Sequence, residues 1–231
     1  SQAKGFRMKT KAKAKKSPKA QDAALRHDPR MRVSTADADG LVWYSPWNKP
    51  FRLEGMGWNI PGTFRRMPLE HGGELTPAVD DLAWHTAGVQ LRFRTNSHRI
   101  SLRVKLRGVH AMDHMPATGE AGFDAYIGDV GDMIYAGTAR FDRSRDAYQS
   151  TLCTLPTAER RTVTINFPLY KGVAELEVGL DDGSRVFAPP AHACKKAVVV
   201  YGTSITQGGC ASRPGMAYPN ILSRRIDAPF I

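Results

Sequence analysis

Between residues 40 and 190 apolar and polar residues alternate with a period of two, the spacing of a strand with one face buried and the other in water. In Val89-Gln-Leu-Arg-Phe-Arg94 this puts Val89, Leu91 and Phe93 on one side and Gln90, Arg92 and Arg94 on the other. Residues 100–106 repeat the design, with Ser101, Arg103 and Lys105 toward water. As neighbours, the two runs are expected to form a hairpin turning through Thr95-Asn-Ser-His98. Further strands are expected over residues 123–127, 133–141, 147–152, 162–167 and 174–180. Turn signals such as Gly128-Asp-Val-Gly131 and Asp181-Asp-Gly183 separate them. Many short strands with no long helical pattern between them imply a mainly β chain: a jelly-roll-like β-sandwich spanning residues 33–190.

The pattern changes after Pro189-Pro190. In residues 195–201 two lysines lead into a continuous apolar run, as in a strand buried on both faces of a parallel sheet. Residues 217–226 have helical spacing, with Ile221, Leu222 and Ile226 along one face and Pro219 where only a first turn accepts it. Residues 195–231 therefore resemble the first βα unit of an α/β domain. A lone unit cannot cover its own strand, so the remainder of that domain is expected beyond Ile231.

The charge of +11 does not belong to this body. Residues 1–32 hold seven lysines and four arginines against two aspartates, which is +9 of the total. Within it Lys9 to Lys19 lacks apolar residues to bury, and residues 1–32 are expected to be a disordered or loosely attached tail. A basic arm can contact phosphates, but a solvated leader is the simpler reading, so no nucleic-acid partner is expected. No apolar run approaches the ~20 residues of a membrane-spanning helix, and no membrane partner is expected. The odd number of cysteines, Cys153, Cys194 and Cys210, rules out complete internal pairing. Cys210 is expected to be a small, half-buried thiol.

Chemistry concentrates at Val198-Val-Val-Tyr-Gly-Thr-Ser-Ile-Thr-Gln-Gly208, where a strand runs into a turn that presents Ser204 at the start of a helix. An esterase serine needs an exposed hydroxyl, a base, and backbone donors for the oxyanion. A strand-to-helix turn supplies the first and part of the third, because the free N–H groups of a helix start lie there. By itself the pattern equally describes a serine cap. All seven histidines (27, 71, 85, 98, 110, 114 and 192) precede Ser204, and Asp227 has no histidine after it. His110 and His114 flank Asp113 at metal-ligand spacing, but Gly108 to Pro116 reads as a loop, so no metal site is expected. Trp43, Trp47, Trp58 and Trp84, with Tyr44, could stack on sugar rings, although aromatics in a sandwich more often fill its core.

The serine string, followed by Ala217-Tyr-Pro-Asn-Ile-Leu-Ser-Arg-Arg225, resembles the first conserved block of the SGNH (GDSL-type) hydrolases, with Thr203 where the family carries Asp. Upstream, Gly122-Phe-Asp-Ala-Tyr126 is similar to the Gly-x-Asp-x-Tyr core of the GxDLY domain, which precedes such esterase domains, with Ala125 in place of Leu. Together the resemblances cover about residues 40–231. They imply a flavodoxin-like three-layer hydrolase domain beginning near residue 195, with Ser204 as nucleophile and its own N–H as one oxyanion donor. In the family the other donors are a glycine and an asparagine of later blocks, and the base is a histidine three residues after an aspartate. None of those blocks is visible after Ser204, so the 231-residue chain alone is expected to be inactive. The resemblance implies a small acyl ester as substrate, chiefly an acetyl ester, acetylated carbohydrates included, with no cofactor, in a bacterial periplasmic or secreted setting. The rival reading is a noncatalytic carbohydrate-binding sandwich module whose C-terminal strand and helix merely finish the fold.

Overall fold

In a computed structural model, residues 36–70 and 75–231 are described, and the basic segment 1–32 lies outside them. Two antiparallel sheets face each other. One has the order β1 (Leu41–Tyr44), β9 (Val173–Asp181), β4 (Arg99–Leu106), β7 (Ala147–Thr154). The other runs β10 (Val186–Phe187), β3 (Gln90–Thr95), β8 (Arg161–Asn166), β5 (Asp124–Ile127), β6 (Ile134–Thr138), with β2 (Arg52–Glu54) also paired to β3. Every strand expected between residues 89 and 180 forms, because alternation dictates a strand wherever one face meets a core. Leu91, Phe93, Val163 and Ile165 from one sheet meet Ile100, Leu102, Val178 and Leu180 from the other, all fully buried. Trp47 joins this core, its ring 4.8 Å from that of Phe64.

The hairpin expected of β3 and β4 does not form. The two strands belong to different sheets, and residues 96–98 carry the chain across the edge of the sandwich. Each strand has an apolar inner face, and such faces can share one sheet or oppose each other across the core. The crossing is fixed by polar chemistry. Ser97 N donates to Thr95 Oγ1 at 3.1 Å, and Ser97 Oγ donates to Asp181 Oδ2 at 3.0 Å. Asp181 also receives the Arg99 backbone N–H and, at 2.7 Å, the Arg99 guanidinium.

A second departure concerns the outer face of the β3 sheet, which the alternation assigns to water. Gln90, Arg92, Thr164, Asn166 and Asp124 are buried there. The C-terminal segment covers them with a 3-10 turn, Pro214–Met216, and a helix, Tyr218–Ser223, which has Pro219 in its first turn. Residues 195–201 are extended, but only Val198 makes a β-bridge, in parallel with Phe230. Val199 is 71% exposed and Tyr201 98%, so this run is not buried on both faces as expected. A parallel strand is covered only when neighbours flank it, and here just residues 229–231 lie alongside. No helix among the described residues is long and apolar enough to cross a membrane.

Candidate functional site

The C-terminal segment is held to the sandwich by side chains that reach across from the outer face of the β3 sheet. Asp124, the acidic residue of Gly122-Phe-Asp-Ala-Tyr126, is fully buried and accepts from Asn166 Nδ2 and from the Gly215 backbone N–H, each at 2.8 Å. Arg213 approaches the same carboxylate at 3.4 Å. Burial pushes the Asp124 carboxyl up from its ordinary value, against the pull of those donors. Gln90 Nε2 donates to Asn166 Oδ1 and to Ser223 Oγ, which extends the chain of bonds to the last helix. Arg224 lies over the Tyr126 ring, 4.1 Å from its centre. Motif residues Asp124 and Tyr126 are thus points of attachment for the segment that carries Ser204.

Asp227 also has a partner. His192 Nδ1 lies 2.8 Å from its carboxylate, so the histidine precedes the aspartate in sequence instead of following it. The hydrogen bond from His192 holds the Asp227 carboxyl below its ordinary value. His192 Nε2 faces Glu54 at 2.9 Å, and Glu54 is bridged by Arg92 at 3.1 Å. Both imidazole nitrogens are therefore engaged in an ion cluster that pins residues 192–193 and 227 to β2 and β3.

Ser204 is exposed and opens a short helix, α1 (Ser204–Gln207). At that first position its N–H has no intrahelical acceptor, and its hydroxyl has no hydrogen-bond partner among the described residues. The turn around it is tight. A Cβ at Gly202 would collide with the Thr206 side chain, and Gly208 ends the helix at φ +102°, a conformation that favours glycine. The sandwich supports the helix from below: Tyr170 Oη donates to Ser204 O at 3.0 Å, and Gln207 Nε2 donates to Leu169 O at 2.9 Å and lies 3.1 Å from His85 Nδ1. Beside the turn runs an apolar groove of about 390 Å³, with Leu82, Ala87 and Gly88 on the sandwich side and Val199, Thr203 and Thr206 on the other.

Neither His85 nor Tyr170 carries a signal that sequence reading could use. His85 stands 122 residues before Gln207, and chain order excluded it as a partner of the serine. The loop with His110 and His114 gives each histidine a carboxylate instead of a common centre. His110 pairs with Glu120 and His114 with Asp113. Glu120, fully buried, also accepts the backbone N–H groups of Ala111 and Met112. Cys210, expected to be half-buried, is exposed near this loop, its Sγ 3.6 Å from His114 O.

Comparison with known proteins places this geometry in a class. Residues 41–186 match the GxDLY family, the N-terminus of SGNH hydrolase-type esterases, and residues 195–231 match the GDSL-like lipase/acylhydrolase family. The first match covers more than half of the chain, and the chain belongs to that family. Among solved structures it is similar to a GDSL-like lipase from Bacteroides ovatus, with 27% identity and a TM-score of 0.70 over 83% of this chain and 55% of the other. It also resembles the salicylyl acyltransferase SsfX3 from a tetracycline biosynthetic pathway, with 22% identity and a TM-score of 0.64 over 84% and 54% of the respective chains. The chain thus spans about half the length of these structures. No curated protein matches it.

Proposed function

We propose that the protein carrying this chain is an SGNH-type serine esterase acting on a small acyl ester, chiefly an acetyl ester, acetylated carbohydrates included, with Ser204 as nucleophile. One observation carries the reading. Ser204 heads a short helix after a glycine turn, exposed and with a free hydroxyl, within the stretch that matches the GDSL-like acylhydrolases. In the reaction Ser204 Oγ attacks the acyl carbon, a base takes its proton, and the Ser204 N–H is one donor to the resulting oxyanion. Collapse releases the alcohol, and water then cleaves the acyl-enzyme.

No histidine among the described residues is hydrogen-bonded to the Ser204 hydroxyl, so the 231 residues alone are expected to turn over esters negligibly. Turnover of p-nitrophenyl acetate by this chain and by Ser204→Ala checks this: the two should coincide at background, and a clear Ser204-dependent rate would show that the chain holds its own base. In a longer form containing later residues, Ser204→Ala should abolish the rate. The noncatalytic alternative, a carbohydrate-binding sandwich, is less supported. Trp47 is in the core, and Trp43 and Trp84 are faced by Arg103 and Arg107 at 4.0 and 3.8 Å.

A further inference from the structure

Several contacts under the serine helix come from one short stretch of the sandwich, residues 168–171, and the residues that brace it. The Thr86 hydroxyl lies within hydrogen-bond reach of Pro168 O at 2.9 Å and Lys171 O at 3.1 Å. The N–H groups of Leu169 and Tyr170 donate to Gly119 O and Glu120 O. Residues 168–171 are therefore held at both ends before they touch the helix. Two of them then meet it closely. A Cβ at Gly208 would lie 2.8 Å from Leu169 Cδ1, and one at Gly209 would lie 3.2 Å from Tyr170 Oη. The Tyr170 hydroxyl donates to Ser204 O, the same carbonyl that accepts the N–H groups of Gly208 and Gly209.

Gln207 adds a constraint of a different kind. A side-chain amide nitrogen has two donors and no lone pair to offer. Gln207 Nε2 uses one donor on Leu169 O and the other on His85 Nδ1. The arrangement requires His85 Nδ1 to be unprotonated. Turning the amide over would bring Gln207 Oε1 against Leu169 O, so protonated His85 and this amide position exclude each other. His85 also lines a polar hollow of about 440 Å³, through which protons can reach it. The charged groups around it are Asp81, Arg66, Lys171 and Glu120, with Asp80 and Arg107 across the hollow. Burial holds the imidazole below its ordinary value, which keeps it neutral at neutral pH.

We propose that the sandwich sets the position of the nucleophile: Tyr170 and neutral His85, acting on Ser204 O and Gln207, clamp the serine helix, and protonation of His85 releases it. The inference rests on reading Ser204 as the nucleophile, but its geometry is testable without catalysis. Both are positioning residues, since neither touches a reacting atom.

The test is amide hydrogen exchange on the 231-residue chain, with each rate divided by that of an unstructured peptide at the same pH. In the parent chain the N–H groups of Gly208 and Gly209 should be protected at pH 8 and lose protection as pH falls through the histidine range. Tyr170→Phe should lower their protection roughly fivefold at every pH, the effect of one lost hydrogen bond. His85→Asn, which retains an acceptor near the Nδ1 position, should keep the protection and abolish its pH dependence. His85→Ala should lose protection throughout. Amides of β3 and β8 should not change in any variant, which shows that the fold persists. Loss of pH dependence in His85→Asn is the readout that a merely structural histidine would not give. The proposal is overturned if Gly208 and Gly209 are unprotected in the parent, if Tyr170→Phe leaves them unchanged, or if His85→Asn still titrates. Ser204→Ala should exchange like the parent, so failure of the clamp and failure of the nucleophile assignment are separately visible.

Discussion

Both Asp124 carboxylate oxygens accept a hydrogen bond, one from Asn166 and one from the Gly215 N–H, and the group faces Arg213 at 3.4 Å in a place water does not reach. An amide at this position keeps one acceptor but turns a donor toward other donors. Asp124→Asn is therefore expected to cost about 1–3 kcal/mol, the penalty of an unsatisfied buried group. The check is urea denaturation followed by circular dichroism, and an unchanged midpoint would remove Asp124 from its anchoring role. His85 carries a pH consequence at the same scale. Its folded value lies below the ordinary histidine value of 6.5, so the neutral form favours folding. That contribution is complete above the unfolded value and is lost as pH falls through it toward the folded one.

Among the elements, strands were legible and their partners were not. Alternation in residues 89–94 and 100–106 located β3 and β4 because each strand has one face in the core. It could not say whether the two lie in one sheet or in two, since the inner faces read identically in either case. The decision lies in the Ser97–Asp181 contact, which joins residues 84 apart. Asp181→Ala removes the acceptor for Ser97 and for the Arg99 backbone and guanidinium. It should lower stability by at least about 2 kcal/mol, from three lost hydrogen bonds to one charged acceptor. A thermal midpoint shift well under that expected for 1 kcal/mol would mean that the crossing is fixed elsewhere. The serine turn was legible through its resemblance to the SGNH first block. The strand before it is not buried as its pattern suggests, because the apolar run from Ala197 to Tyr201 predicts burial only where neighbouring strands exist to provide it.

The molecule as a whole joins a sandwich with an apolar interior to a C-terminal segment through a polar seam. Gln90 and Arg92 lie on the polar side of the β3 alternation, and Thr164, Asn166 and Asp124 line the same buried face. Such a seam can be opened without exposing the main core, because the cluster built on Phe93, Ile165, Leu102 and Val178 is complete without residues beyond 187. A chain ending at residue 187 is expected to keep its β-sheet circular dichroism and a cooperative unfolding transition, with a lower midpoint. A featureless, non-cooperative melt would show that the seam is part of the core.

That polar seam also bears on how the protein is made. The ribosome delivers the sandwich first, and residues 188–231 emerge only after every strand of both sheets has been synthesised. During that interval the outer face of the β3 sheet has no cover. Were it lined with valine and leucine, nascent chains on one messenger could adhere to one another. Lined with amides, hydroxyls and ions, it stays wet until residues 188–231 arrive.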